Sequence, residues 1–134
     1  MAKTYNYTFG ETSLIVGGTP IKGRVAVRFT YPNDVNTVTF SQDGDGVFSQ
    51  SSIYNWAEVE IELSQAALDN LNLTTKLKLN AVMAIGFKDN TGNSIHFLPA
   101  AKFTKVPDTA YEGEAGTRTW MLQGFDEGLI IGGN

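Results

Sequence analysis

A chain of 134 residues with 42 % hydrophobic content matches one domain and can bury a core without disulfides or a structural metal. It has no cysteine, which excludes thiol chemistry and thiolate metal sites, and one histidine, which excludes centres built on two or more imidazoles. Net charge is −4, and from Arg28 to Lys76 no Lys or Arg interrupts Asp34, Asp43, Asp45, Glu58, Glu60, Glu62 and Asp69, a block that repels nucleic-acid phosphates.

The start, MAKTYNYTFG, lacks an apolar run of signal-peptide length, and no window approaches the ~20 apolar residues of a membrane span. The expectation is a soluble protein made in a cytoplasm, as a single domain over residues 1–134.

The dominant period is two, which predicts a mainly β chain. YNYTFG (5–10) alternates aromatic and polar residues. TSLIVGGTPIKG (12–23) places Gly-Gly between two strand-like runs, a hairpin signal. RVAVRFTY (24–31) is β-branched and aromatic until Pro32-Asn33-Asp34 breaks it, and VNTVTFSQ (35–42) alternates again.

DGDG (43–46) opens a Gly- and Ser-rich connection, read as a flexible loop over about 43–54. NWAEVEIELS (55–64) then alternates strictly, predicting a strand over 56–63 with Ala57, Val59, Ile61 and Leu63 on a dry face and Glu58, Glu60 and Glu62 on a wet one. Ser64 is a candidate cap for a short helix, QAALDNLN (65–72), with Ala67, Leu68 and Leu71 on one face.

KLKLNAVMAIGFKD (76–89) and SIHFLPAAKFTKVP (94–107) flank NTGN (90–93) as a long hairpin, with Pro99 at a bulge or edge. TRTWMLQGF (117–125) is the last strand, and DEGLIIGGN (126–134) is a tail with an apolar triplet, Leu129, Ile130 and Ile131. Seven or eight antiparallel strands and a lone helix close most naturally as a sandwich or small barrel.

Catalytic patterns are missing. His96 sits in an alternating run and reads as a surface histidine. The glutamate row has a spacing of roughly 6.5–7 Å at i, i+2, near the separation of glycosidase carboxylates, but such pairs normally face each other across a cleft. DGDG resembles the start of a calcium loop, yet Val47 and Tyr54 occupy places that need oxygen ligands. No catalytic, cofactor or metal residue is assigned, and the chain is expected not to be an enzyme.

Four stretches in order resemble the family of small phage tail tube proteins, found mainly in contractile-tailed phages. They are TYNYTFGETSLIVGGTPIKGR, FSQDGDGVFSQSSIYNWAEVEIELSQAALDNLNL, IGFKDNTGNSIHFLPAAKFTKVPD, and GEAGTRTWMLQGF with the closing IIGGN. The segment 24–37 matches that pattern poorly, and Asn55-Trp56-Ala57 stands where the family often has a small residue and glycine.

The resemblance implies a β-sandwich or barrel-like tail tube subunit with one short flanking α-helix. It implies six-fold rings of self, stacked helically into a hollow tube that conducts DNA and the tape-measure protein. Tail sheath and baseplate or terminator proteins are the implied partners, with no cofactor and no membrane. The implied location is the virion, after assembly in the host cytoplasm. Under it, Glu58, Glu60 and Glu62 become candidates for an acidic bore, while Phe48, Ile53, Tyr54, Trp56, Leu129, Ile130 and Ile131 become candidates for contacts between subunits. The loop is expected to order on assembly. Alternatives are the tube of a phage-derived contractile injection particle, a carbohydrate-binding β-sandwich using Tyr54-Asn55-Trp56, and a small β-rich hydrolase.

Overall fold

The computed structural model describes residues 12–132. Nine strands and one helix follow in the order β1 (Thr12–Val16), β2 (Thr19–Pro20), β3 (Arg24–Thr30), β4 (Asn36–Phe40), β5 (Gly46–Gln50), β6 (Trp56–Ser64), α1 (Asp69–Lys78), β7 (Met83–Asp89), β8 (Ser94–Lys105) and β9 (Thr117–Phe125). The chain is mainly β with a lone short helix, as its periodicity implies. The strand predicted at 5–10 lies outside the described residues.

Seven strands join in the order β2-β1-β7-β8-β9-β6-β3, all pairs antiparallel. β8 is long enough to serve two layers. Its first part pairs with β7 as far as Ala101, and from Lys102 it pairs with β9. The changeover falls at a register shift where Ile85 opposes Leu98 and Met83 opposes Ala101, so that Pro99 and Ala100 together stand opposite the single residue Ala84. Pro99 thus sits at a bulge, the device by which strands pass from one sheet to another. The β3 edge folds back over β7 and β8, where Phe29 meets Phe87 and stacks on His96.

The space between the layers is filled by alternate residues. Leu14 and Val16 of β1, Ile85 of β7, Leu98 of β8, Val59, Ile61 and Leu63 of β6, and Trp120 and Leu122 of β9 are buried together with Leu73 of α1. The predicted alternation of β6 is realised in full, with Ala57, Val59, Ile61 and Leu63 inaccessible and the residues between them half-exposed. The Gly-Gly hairpin also forms: Gly17 and Gly18 have φ of 58° and 83°, the left-handed pair that a two-residue hairpin turn requires.

Three local expectations change. The helix begins four residues later than predicted and runs through Lys76 and Lys78, so the KLKL alternation belongs to α1 and not to a strand. Its buried residue is Leu73, while Leu68 and Leu71 are exposed, and no side chain of Ser64 caps it. Asp69 in the first turn and Lys76 and Lys78 in the last suit the helix dipole. Two polar clamps explain the shift. Asp69 Oδ2 accepts from the Lys22 and Gly23 amides at 3.0 and 3.1 Å, and Asn70 bridges the Trp120 indole to the Ser64 carbonyl, both at 2.9 Å. Finally, residues 46–50, read as part of a Gly/Ser-rich connection, pair with β4 as β5.

Candidate assembly surfaces

The three glutamates lie on the outer face of β6, and the register fixes their neighbours. Glu58 is flanked by Thr30 and Gln123, with Lys102 beyond Gln123. Glu60 is flanked by Arg28 and Met121, with Lys105 beyond Met121. Glu62 lies between Ala26 and Thr119. The row is therefore acidic along the strand and balanced across the sheet, where Arg28, Lys102 and Lys105 face the same way. Among the described residues none of the three glutamates is within ion-pair distance of a cation. The block of negative charge in the sequence is thus not a uniformly negative patch on the sheet.

β4 and β5 form a separate ribbon whose ten strand residues are all exposed. Register sorts its side chains. Val38 faces Phe48 and Phe40 faces Gly46 on one side, whereas Thr37 faces Ser49 and Thr39 faces Val47 on the other. Phe40 and Phe48 are each 73 % exposed, and the Phe40 ring lies over Gly46. The ribbon is amphipathic, and among the described residues nothing else packs on its apolar side. Of the expected contact residues, Phe48 is on this side. Phe40 and Val38 join it, and sequence reading passed over them as ordinary strand residues although the two alternations, VNTVTF and GVFSQ, contain the signal.

Ile53 and Tyr54 lie exposed at the ribbon's base. Trp56 is half-buried as the first residue of β6, with its ring edge-on to Phe125 at 4.9 Å and its indole nitrogen donating to Gln123 at 3.2 Å. In the tail, Ile130 forms a backbone bridge with Ile95, Leu129 is half-buried, and Ile130 and Ile131 remain exposed.

A polar knot holds the ribbon's base and the tail together. Asp126 is 1 % exposed, and its Oδ2 accepts from the Tyr31 hydroxyl at 2.5 Å and from His96 Nδ1 at 2.8 Å. Its Oδ1 accepts from the Phe97 and Gly128 amides at 3.0 and 3.2 Å. A carboxylate with these neighbours requires a proton on His96 Nδ1. Asn55 exchanges hydrogen bonds with the backbone of Asp126, at 2.9 and 3.1 Å. Burial, and then the hydrogen bond and charge of Asp126, push the Tyr31 hydroxyl far above its usual pKa.

His96 is therefore no surface histidine: its side chain is 11 % exposed beneath Phe29, which stacks on it at 4.0 Å. The groups that cover it come from far away in sequence: Phe29 on β3, and Tyr31 just after it, 65 positions from His96. Tyr31, His96 Nδ1 and Asp126 bond to one another and to the Phe97 and Gly128 amides. A cleft of about 430 Å³ beside α1 is lined by Leu77, Val106, Pro107, Tyr111, Arg118 and Trp120 among others, with no carboxylate or imidazole. Among the described residues no group of His and acidic side chains could hold a metal ion.

No family model and no curated protein matches the chain. Solved structures do. A chain from the sheath/tube terminator of the PVC extracellular contractile injection system superposes with TM-score 0.63 at 11 % identity, covering 92 % of this chain and 95 % of that one. The tube-terminating cap of the anti-feeding prophage gives 0.63 at 10 % identity over 94 % and 91 %. A chain of the PVC sheath–tube complex gives 0.60 at 10 % identity over 97 % and 93 %. Over nearly its whole length the chain has the tail-tube-like fold shared by these contractile-injection components.

Proposed function

We propose that this chain is a non-enzymatic structural subunit of a tail-type tube. Copies form rings, six-fold as in the resemblance noted above, and the rings stack into a hollow conduit. The observation that carries this reading is the free amphipathic ribbon on a body of tube-like fold. An exposed aromatic face of this kind is where association energy concentrates once another chain covers it. Ile53 and Tyr54 at the ribbon's base and Ile130 and Ile131 in the tail extend the contact surface.

In this arrangement the outer face of β6 lines the bore, with Glu58, Glu60 and Glu62 repeated around it. Arg28, Lys102 and Lys105 on the same face moderate their charge. DNA passing through meets a wall of low net charge and slides without binding. A sheath around the tube, a tape-measure protein within it, and baseplate and terminator proteins at its ends complete the particle. That particle is a phage virion assembled in the host cytoplasm.

The solved structures favour a second reading, a tube or terminating cap of a contractile injection particle. Negative-stain electron microscopy of the purified protein at rising concentration tests both. A tube subunit gives hollow tubes of indefinite length, and a cap gives single rings that do not stack. Particles no larger than a monomer at every concentration would overturn both.

A further inference from the structure

β9 turns Arg118, Trp120 and Leu122 to the inner side of its sheet, and all three are buried. Trp120 and Leu122 belong to the core, but Arg118 brings a charge there at 8 % exposure, opposite Leu63 of β6. A buried guanidinium normally answers a carboxylate, because burying an unpaired charge is costly. Among the described residues its one hydrogen bond runs from Nη1 to the carbonyl of its own neighbour Thr117, at 3.3 Å, and no ion pair involves it. The ring of Tyr111 lies over it at 5.4 Å. A guanidinium has several N–H donors and no acceptor, so most of its bonding capacity is unspent.

Arg118 lines the cleft of about 430 Å³ beside α1, a volume within the range of small-ligand sites. The cleft's apolar walls come from Leu77 of α1, Val106 and Pro107 after β8, and Trp120. Its other polar side chains are engaged within the chain. Asn70 Oδ1 accepts from the Trp120 indole at 2.9 Å, and Asn70 Nδ2 donates to the Ser64 carbonyl at 2.9 Å. The Thr74 hydroxyl donates to the Asn70 carbonyl at 2.7 Å, and Gln65 Oε1 accepts from the Gly116 amide at 2.9 Å. Glu112 and Glu114 share a connection with Tyr111, yet both are exposed and neither forms an ion pair among the described residues.

We infer that this cleft binds a compact apolar carboxylic acid. Its carboxylate pairs with the Arg118 guanidinium, and its hydrocarbon or aromatic body lies between Leu77, Pro107 and Trp120, with Tyr111 over the charged end. The planar fork of arginine matches the two oxygens of a carboxylate, and such charge-assisted bonds are the strong ones. A peptide segment fits less well, because its backbone amides would meet polar groups already engaged and lose their hydrogen bonds to water. The site lies on the inner side of β9, away from the glutamate row and the ribbon, and does not rest on the assembly reading.

Titration of the full chain with phenylbutyrate, and in parallel with its neutral amide, tests the site by heteronuclear NMR. The two tryptophan indoles report separately, since Trp120 lines the cleft and Trp56 does not. The acid should shift the Trp120 indole saturably and leave the Trp56 indole in place, and the amide should bind at least tenfold more weakly. Arg118→Gln should weaken the acid at least tenfold and leave the amide unchanged. Because Arg118 is buried, Tyr111→Ala at an 81 % exposed position provides a second variant, expected to keep the urea midpoint and to weaken the acid several-fold. No saturable Trp120 shift at millimolar acid, or equal affinity of wild type for acid and amide, would overturn the inference. Tyr111→Ala and Arg118→Gln that both fold and both bind the acid as wild type does would overturn it as well.

Discussion

Replacing Asp126 with alanine is expected to be among the most damaging single changes available in this chain. The carboxylate is 1 % exposed and accepts from Tyr31, His96 and the Phe97 and Gly128 amides. Alanine leaves these donors without their shared acceptor. Hydrogen bonds to a charged group contribute about 1.5–3 kcal/mol each, but they share one acceptor and do not add. The measured cost of stranding one partner of a buried pair, about 3–5 kcal/mol, is the better guide. Against a domain stability of about 5–15 kcal/mol, that is a large fraction.

Tyr31→Phe removes one of these donors and leaves the rest, so about 1–2 kcal/mol is expected. Urea denaturation followed by tryptophan fluorescence measures both, since Trp120 is buried and Trp56 half-buried. Hydrogen exchange adds a positional readout: protection of the Phe97, Gly128 and Ile130 amides should fall in Asp126→Ala, while protection within β6 should fall only with global stability. An Asp126→Ala cost below about 1 kcal/mol, with those amides still protected, would refute the view that the knot anchors tail and ribbon base.

Three further predictions follow from other parts of the fold. The Tyr31 hydroxyl has its pKa raised in the folded state, so its stabilising contribution is present below the unfolded value near 10 and is lost as pH rises above it; the difference in urea midpoint between wild type and Tyr31→Phe should shrink from pH 9 to pH 11. A Cβ on Gly23 would meet the Ala67 Cβ at 2.5 Å, so Gly23→Ala should cost about 1–3 kcal/mol, and pairing it with Ala67→Gly should recover most of that in a double-mutant cycle. Glu60→Lys sets a second cation beside Arg28 on the adjacent strand; a cost of about 0.2–1 kcal/mol is expected, and the further change Arg28→Glu should reverse it.

Much of the β framework was legible in the sequence because its signals are local. The alternation in 56–64 reports burial on one face alone, and β6 has that environment because strands flank it on both sides. Gly17-Gly18 and NTGN mark turns through backbone conformation, and Asn93 does adopt a positive φ of 60°. Pro99 marks a bulge because it cannot donate to a ladder.

The errors arise where a distant segment decides the outcome. Lys76-Leu77-Lys78-Leu79 alternates like a strand, yet Asn70 and Leu73 tie that segment to Trp120 and the core as a helix. His96 looked exposed until β3 folded across it. The glutamate row looked uncompensated because the cations beside it come from β3 and β8, up to 45 residues away in sequence from β6. β5 was hidden by its glycine and serine neighbours, and its apolar side becomes visible only through its register with β4.

The central claim is that the ribbon's apolar side drives assembly of copies of this chain. Sedimentation velocity on wild type and on the double variant Phe40→Ser, Phe48→Ser, side by side from micromolar to near-millimolar concentration, tests it most directly. Both residues are 73 % exposed, so the variant should keep its circular dichroism spectrum and its urea midpoint. Wild type is expected to shift to large species as concentration rises while the variant stays monomeric. Identical sedimentation of the two proteins, whether both assemble or neither does, would contradict the account.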